Sequence, residues 1–99
     1  MNQIEFDCKV YEVVGCIPYG KVTTYGRIAV LIGCPNNARR VGRALSYAPN
    51  NIPCHRVVNS QGKTVTGWNE QVVLLKQEGV LFKSNGCVNF EKALWRLEE

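Results

Sequence analysis

The amino-acid sequence predicts a small, mainly helical domain that carries one β-hairpin. Its 99 residues and 45% apolar content suit one compact hydrophobic core. Apolar residues recur at helical spacing in several short segments, two of which follow each other closely. A pattern of strand, turn and strand comes later. Together these observations predict a winged helix-turn-helix, with residues 1–99 as a single unit.

The first two helices are predicted from apolar periodicity and from residues that favour helix ends. Apolar side chains recur at helical spacing over residues 3–14, which predicts the first helix. Thr23 or Thr24 can cap a second helix that continues through Ile32, where a Gly-Cys-Pro sequence stops it. The residues of the second helix expected to face the core are Ile28, Leu31 and Ile32.

A third, basic helix follows after a turn of about four residues. Asn36 or Asn37 can cap it, and the apolar residues of the segment 38–46 share one helical face. The opposite face carries three cations: Arg39, Arg40 and Arg43. Two short helices of this kind, the second with a basic outer face, are typical of a helix-turn-helix that binds DNA.

The second half of the sequence predicts the hairpin and a last helix. Val57-Val58 and Thr64-Val65 flank a polar turn, which predicts two paired strands where a winged variant carries its wing. Asn69 can cap a helix that runs to about Glu78, directly before a glycine that can end it.

The distribution of charge is more informative than the net charge of +4. All eight acidic residues lie in residues 1–12 or 70–99, and the interval between them has no carboxylate. The cations of that interval are Lys21, Arg27, Arg39, Arg40, Arg43, Arg56 and Lys63. A region of one sign suits a polyanion, so the expected partner is nucleic acid.

The cysteines and the hydropathy exclude several classes of protein. Five cysteines without a CxxC pair or a second histidine predict neither a disulfide framework nor a metal site, and no cofactor is expected. Cys8, Cys16, Cys34 and Cys87 lie in apolar surroundings and are expected in the core. No run approaches the roughly 18 apolar residues of a membrane span, and the first residues lack a secretion signal. A soluble intracellular monomer is expected, cytoplasmic or, in a eukaryote, nuclear.

The segment from Ile52 to Val58 carries the strongest chemical signal. It places the single histidine, His55, next to Cys54 inside the basic interval. Cationic surroundings lower the pKa of a thiol and supply the nucleophilic thiolate. From the dipeptide alone, a buried thiol beside a surface histidine remains an alternative, because neighbouring side chains on an extended chain point in opposite directions.

Five sequence blocks occur in order between residues 17 and 79. They are Pro18-Tyr19-Gly20-Lys21-Val22, Thr24-Tyr25-Gly26, Ala38-Arg39-Arg40-Val41-Gly42, Ile52-Pro53-Cys54-His55-Arg56-Val57-Val58, and Leu74-Leu75 with Glu78-Gly79. Together the blocks resemble the active-site domain of the O6-alkylguanine-DNA alkyltransferases. The resemblance implies a winged helix-turn-helix that lies against the minor groove of duplex DNA and rotates an O6-alkylated guanine into a pocket.

The resemblance also implies roles for individual residues. Cys54 would accept the alkyl group, activated through His55, a water molecule and Glu78. Arg39 would fill the gap left by the extruded base, and Tyr25 would help to rotate the nucleotide and donate its hydroxyl to N3 of the leaving guanine.

The basic helix face, the stacking ability of a flat ring and the resemblance together predict two larger sets of contacts. The residues expected to contact DNA are Lys21, Thr24, Tyr25, Arg39, Arg40, Gly42 and Arg43. The residues expected to line the lesion pocket are Tyr25, Pro53, Cys54, Val57, Trp68 and Asn69, with the Trp68 ring stacking on the flipped base.

Other features resemble the alkyltransferase-like proteins, which are single small domains that bind O6-alkylguanine without repairing it and recruit excision repair. The chain starts too late for the N-terminal domain of the alkyltransferases, and its lid, at Gly67-Trp68-Asn69-Glu70, is short. It nevertheless keeps Cys54, which the alkyltransferase-like proteins typically replace. The predicted function is therefore irreversible transfer of the alkyl group to Cys54, by a reagent that turns over once. The alternatives are a non-catalytic lesion sensor that hands the lesion to nucleotide excision repair, and a winged-helix regulator that reads sequence.

Overall fold

The computed structural model describes residues 1–97 and has a mostly helical fold with one small sheet, as predicted. In chain order the elements are α1 (Gln3–Gly15), β1 (Thr23–Thr24), α2 (Tyr25–Leu31), α3 (Ala38–Leu45), a 3-10 turn (Cys54–Arg56), β2 (Val57–Val58), α4 (Glu70–Gln77) and α5 (Phe90–Ala93). The four predicted helices are present with nearly the predicted boundaries, whereas α5 was not predicted. None of the helices in the described residues is long and apolar enough to cross a membrane.

Side chains at the helix starts fix the first helices in place. The side-chain oxygen of Asn2 accepts a hydrogen bond from the Glu5 amide at 2.8 Å, and the Thr24 hydroxyl accepts one from the Arg27 amide at 3.1 Å. Asn37 precedes α3, but its side chain donates backwards to carbonyl groups of the turn instead of capping the helix. The cap at Thr24 decides where α2 begins, and hence where the side chains of its first turn lie.

The sheet is paired differently from the hairpin that the sequence predicts. β2 forms at the predicted residues, but it pairs in parallel with β1. The turn after β2 also forms, closed by a hydrogen bond of 3.1 Å from the Asn59 amide to the Lys63 carbonyl. Thr64 and Val65, however, are not part of a strand. A two-residue strand of β-branched residues carries no sequence signal for its partner, so the pairing was decided by tertiary packing.

β2 separates two hydrophobic clusters, because successive side chains of a strand point to opposite faces. Val57 packs into a larger cluster and Val58 into a smaller one. The other buried members of the larger cluster come mainly from α1, α2 and α3: Phe6, Val10, Val14, Ile17, Ile28, Ala29, Val41 and Ala44. The others of the smaller cluster are Val22, Leu75, Val80, Val88 and Ala93. The 3-10 turn is therefore attached directly to a strand that is anchored on both faces.

Several residues expected in the core lie nearer the surface. Leu31 is 40% exposed at the end of α2. Cys8 and Cys16 are exposed, and Cys34 and Cys87 are half-buried. Because α1 turns one stripe of larger apolar side chains inward, its smaller cysteine falls outside that stripe. All five cysteines are free thiols.

Two glycines that follow β2 have the same backbone conformation but different surroundings, so they test how closely the turn after β2 packs against Val88. Gly62 and Gly67 have φ angles of +86° and +85°, and a Cβ at Gly62 would lie 2.8 Å from the Val88 carbonyl oxygen. At Gly67 nothing lies within 4 Å. Gly67→Ala should lower the free energy of unfolding by about 1–2 kcal/mol through φ alone. Gly62→Ala should cost roughly 1–3 kcal/mol more because of the clash. Denaturant unfolding of both variants measures the difference, and equal losses would contradict the close approach.

Candidate functional site

A buried carboxylate lies at the centre of the candidate site. Glu78 follows the last turn of α4, and its side chain is 7% exposed. Its Oε1 accepts hydrogen bonds from the Gly20 amide at 2.8 Å and from Arg56 Nε at 2.9 Å. Its Oε2 accepts one from Arg56 Nη2 at 2.9 Å and lies 2.6 Å from His55 Nε2. One carboxylate thus joins α4, the 3-10 turn and the loop before β1.

The ionisation of Glu78 determines which nitrogen of His55 is basic. Burial by itself would raise the pKa of Glu78, but hydrogen bonds from Arg56, Gly20 and His55, together with the charge of Arg56, lower it from 4.5 to about 2. An ionised carboxylate can only accept hydrogen bonds, so the bonded Nε2 of His55 carries a proton. In the neutral ring, Nδ1 is then the nitrogen with a free lone pair.

Arg56 belongs to this internal network. Besides its bonds to Glu78, its Nη1 donates to the Ile17 carbonyl at 2.8 Å, and its side chain is only 16% exposed. From the sequence, Arg56 is expected among the cations available to a polyanion. The structure corrects that placement, since a guanidinium bonded to a buried carboxylate is not free to contact phosphate.

Cys54 lines a cavity of about 210 Å³. The other lining residues are Tyr25, Gly42, Leu45, Ser46, Val65 and Trp68. The structure thus brings together Cys54, Tyr25, Gly42 and Trp68, which the sequence predicts at the lesion pocket or the DNA contact. Leu45 and Ser46 were not predicted, although they follow Gly42 at spacings of three and four and so share its helical face.

Three residues expected in the pocket lie elsewhere. Val57 is 1% exposed within the larger hydrophobic cluster. Asn69 is exposed at the start of α4. Pro53 lies with His55 and Arg56 around a separate polar depression. His55 therefore lines a different depression from Cys54, because successive residues of a 3-10 turn, which has about three residues per turn, point in different directions.

The Cys54 thiol is not activated by its surroundings in the way the sequence suggested. Burial raises the pKa of Cys54, and a backbone hydrogen bond offsets part of that rise. Burial and the neighbouring Cys54 also raise the pKa of Tyr25. The cation next in sequence, Arg56, is held by Glu78, so it does not stabilise a thiolate. Both cavity groups are therefore neutral at pH 7, and Tyr25 can act as a hydrogen-bond donor.

The arginines of α3 have different surroundings. Arg39 and Arg43 are exposed. Arg40 lies 4.0 Å from the centre of the Phe6 ring, and its Nε donates to the side-chain oxygen of Gln3 at 3.1 Å. Arg40 therefore joins α3 to α1, while the other two arginines are directed to solvent.

The remaining residues that were predicted to contact DNA make contacts within the protein. Thr24 is 7% exposed and caps α2 with its hydroxyl. Lys21 Nζ donates to the Lys92 carbonyl at 3.5 Å. Gly42 lies at the cavity, and a Cβ added there would lie 3.7 Å from the Tyr25 ring. A side chain at this position would therefore occupy space beside the cavity.

Residues 5–80 match the family described as 6-O-methylguanine DNA methyltransferase, DNA binding domain. The chain belongs to this family. The match covers the helix-turn-helix, the 3-10 turn with Cys54 and His55, and Glu78. It confirms the resemblance on which the site residues were assigned.

Relatives in the 6-O-methylguanine DNA methyltransferase family carry three kinds of name. The chain is 44% identical over 88 residues to alkyltransferase-like protein 1 of Schizosaccharomyces pombe, covering 81% of each chain. It is 39% identical over 95 residues to the DNA base-flipping protein of Escherichia coli, covering 91% of this chain and 74% of the relative. It is also 41% identical over 97 residues to a methylated-DNA-protein-cysteine methyltransferase of Mycobacterium tuberculosis. That match covers 96% of this chain and 48% of the methyltransferase.

A solved structure of the family has the same fold. The crystal structure of S. pombe Atl1 in complex with damaged DNA containing O6-carboxymethylguanine gives a TM-score of 0.87 at 39% identity, covering 97% of this chain and 99% of that chain. The likeness confirms the predicted fold class. Both leading interpretations of the sequence, alkyl transfer and non-catalytic lesion binding, are consistent with the family.

Glu78 should make the stability of the protein depend on pH. Its pKa is about 2 in the folded protein against an ordinary 4.5, so its contribution is present above pH 4.5 and is lost as the pH falls from 4.5 to about 2. The shift corresponds to roughly 3 kcal/mol of folding free energy. Glu78→Gln should lower the free energy of unfolding at pH 7 and flatten its decline toward pH 3.

Urea unfolding at pH 7 and pH 3 measures this dependence. Glu70→Gln, an exposed position at the start of α4, is the matched control and should keep the decline of the unsubstituted protein. An unchanged decline in Glu78→Gln would show that another carboxylate is responsible.

Proposed function

We propose that the protein binds duplex DNA containing O6-alkylguanine, takes the damaged base into the Cys54 cavity, and transfers the alkyl group to the thiol of Cys54. The observation that carries the proposal is the position of Cys54 in a cavity with Tyr25 and Trp68, followed in sequence by a histidine bonded to an ionised carboxylate. The relatives named for base flipping and for cysteine methyltransfer support the same site.

The exposed arginines of α3 support binding of the duplex at the cavity mouth. Arg39 and Arg43 are four residues apart on α3, and Gly42 between them lines the cavity. Cations on a helix attract the phosphates of DNA, and a glycine without a side chain lets the minor groove come close to the helix backbone. Arg39 would then occupy the space left in the stack when the damaged nucleotide rotates out.

The chemistry is a displacement at the alkyl carbon. The Cys54 sulfur forms a bond to that carbon, the bond from the carbon to O6 breaks, and its electron pair passes to the guanine ring. Because burial keeps Cys54 protonated, a base must take the thiol proton, and Nδ1 of His55, acting through water as the family resemblance implies, is suited to this. Tyr25 donates its hydroxyl proton or hydrogen bond to N3 of the leaving guanine. The thioether product has no route back to thiol, so one molecule acts once.

A second candidate function is lesion binding without transfer. It uses the same cavity, Tyr25 and Arg39, and it is favoured by the raised pKa of Cys54 and by the alkyltransferase-like and base-flipping relatives. In this case the lesion stays in the DNA and is passed to nucleotide excision repair. The thiol would then serve only as part of the cavity wall.

Intact-protein mass spectrometry distinguishes the two functions. After incubation with an O6-methylguanine duplex, the mass should rise by one methyl group, and peptide mapping should place it on Cys54. The exposed thiols Cys8 and Cys16 are internal controls, because they react with a general alkylating reagent but lie outside the cavity. Undamaged duplex and Cys54→Ser should give no gain. Selective binding of the lesion without any change in mass would instead establish the second function.

Two neighbouring arginines test the mode of binding. Arg39→Ala should weaken binding of the lesion duplex roughly tenfold or more, since compensation for unstacking, which costs a few kcal/mol, is lost. Arg40→Ala removes the same charge, but Arg40 packs on Phe6, so it should reduce thermal stability and change lesion affinity much less. Titration of labelled lesion duplex at fixed salt gives both affinities. Equal losses from the two variants would argue for general charge attraction instead of an intercalated finger.

A further inference from the structure

Gln71 is a buried polar residue that the proposed chemistry does not use. It lies in the first turn of α4 and is 0% exposed. Glutamine side chains in folded proteins are mostly exposed, and a buried amide is kept where its donors and acceptor are satisfied. The position of its partners therefore indicates what the residue does.

The Gln71 amide bonds to two separate segments of the chain. Its Nε2 donates to the His55 carbonyl at 3.1 Å and to the Val57 carbonyl at 2.9 Å. Its Oε1 accepts from the Val65 amide at 2.7 Å. Both donors of the amide are thus used on the backbone next to Cys54, and the acceptor is used on the segment that follows the turn after β2.

The second of these segments, residues 64–68, forms one wall of the cavity through Val65 and Trp68. It is neither strand nor helix, and its internal bond runs from the Trp68 amide to the Val65 carbonyl at 3.2 Å. The two hydrogen bonds that the structure gives between this wall and the rest of the described chain both end on Gln71. In one, the side-chain oxygen of Gln71 accepts from the Val65 amide. In the other, the backbone amide of Gln71 donates to the Trp68 carbonyl at 3.1 Å.

We propose that Gln71 is a positioning residue that sets the width of the Cys54 cavity. The cavity lies between Cys54, whose following residue is bonded to Gln71, and the wall of Val65 and Trp68, which is bonded to Gln71 as well. A single amide group therefore joins the two sides, one through its oxygen and the other through its nitrogen. Building on the proposed function, the inference is that Gln71 determines how large an O6 substituent the cavity accepts.

Two substitutions of Gln71 should release the wall and widen this size range. Gln71→Asn keeps the amide but shortens the side chain by one methylene, roughly 1.5 Å, so the amide no longer reaches both the Val65 amide and the His55 carbonyl. Gln71→Met keeps the length but removes the three hydrogen bonds, which frees the wall. Gln77→Met, at an exposed position of the same helix, is the matched control.

The measurement is the ratio of the Kd for an O6-benzylguanine duplex to the Kd for an O6-methylguanine duplex. Relative to the unsubstituted protein, Gln71→Asn and Gln71→Met should each lower this ratio about tenfold, because the wall is released, and this is the scale expected for losing one buried hydrogen bond. Binding of undamaged duplex should stay the same in both, and Gln77→Met should keep the original ratio. Folded variants that all keep the original ratio would overturn the inference.

Hydrogen exchange of the unsubstituted protein tests the hydrogen bond from the Val65 amide to Gln71 without DNA and without a variant. The Val65 amide should exchange much more slowly than the amides of Thr64 and Thr66, because it is bonded to a buried acceptor. Equal exchange at the three amides would overturn the inference even where a Gln71 variant does not fold. If the unsubstituted protein bound the O6-methylguanine duplex and the undamaged duplex with equal Kd, the proposed function would be overturned. The hydrogen-exchange result would still decide whether Gln71 holds the wall.

Discussion

The site depends on the hydrogen bonds that the Glu78 carboxylate accepts inside the protein. A buried carboxylate without partners would cost several kcal/mol, and donors from Gly20, His55 and Arg56 compensate for that loss of solvation. The donors come from the loop before β1 and from the 3-10 turn, which are separated in the sequence and are joined both by this carboxylate and by the bond from Arg56 to the Ile17 carbonyl. The orientation of His55 is therefore fixed by the same bonds that hold these segments together.

The same carboxylate determines the resting state of the thiol. By holding Arg56, Glu78 withholds the nearest cation in sequence from Cys54, and burial then raises the pKa of the thiol. Under the proposed function, lesion binding and alkyl transfer are therefore separable, because a cavity that accepts a flipped base needs shape and hydrogen-bond donors but no thiolate. A single change in the proposed path from Cys54 to His55 would then abolish transfer and leave binding intact.

The two sides of the cavity differ in how firmly they are held. Tyr25 and Gly42 lie on helices whose inner faces belong to the larger hydrophobic cluster, so this side is fixed by packing. Val65 and Trp68 lie on an irregular segment, and the hydrogen bonds from this segment to the rest of the described chain go to Gln71. A rigid side can orient the base and its leaving group. Under the proposed role of Gln71, the wall that is held by few hydrogen bonds decides which O6 substituents fit.

The sequence by itself determined the helices and the DNA-binding class, and it predicted the residues of the candidate site. Apolar periodicity and caps such as Thr24 are local signals, and the block around Cys54 and His55 is specific enough to identify the family and to connect Glu78 with them. Only the tertiary structure decided that β2 pairs with β1, that Arg56 turns inward to Glu78, and that Gln71 joins the cavity wall to the turn at Cys54. The reason is physical. Helix propensity and capping act over a few residues, whereas strand pairing and buried hydrogen bonds depend on which distant segments the packed core brings together.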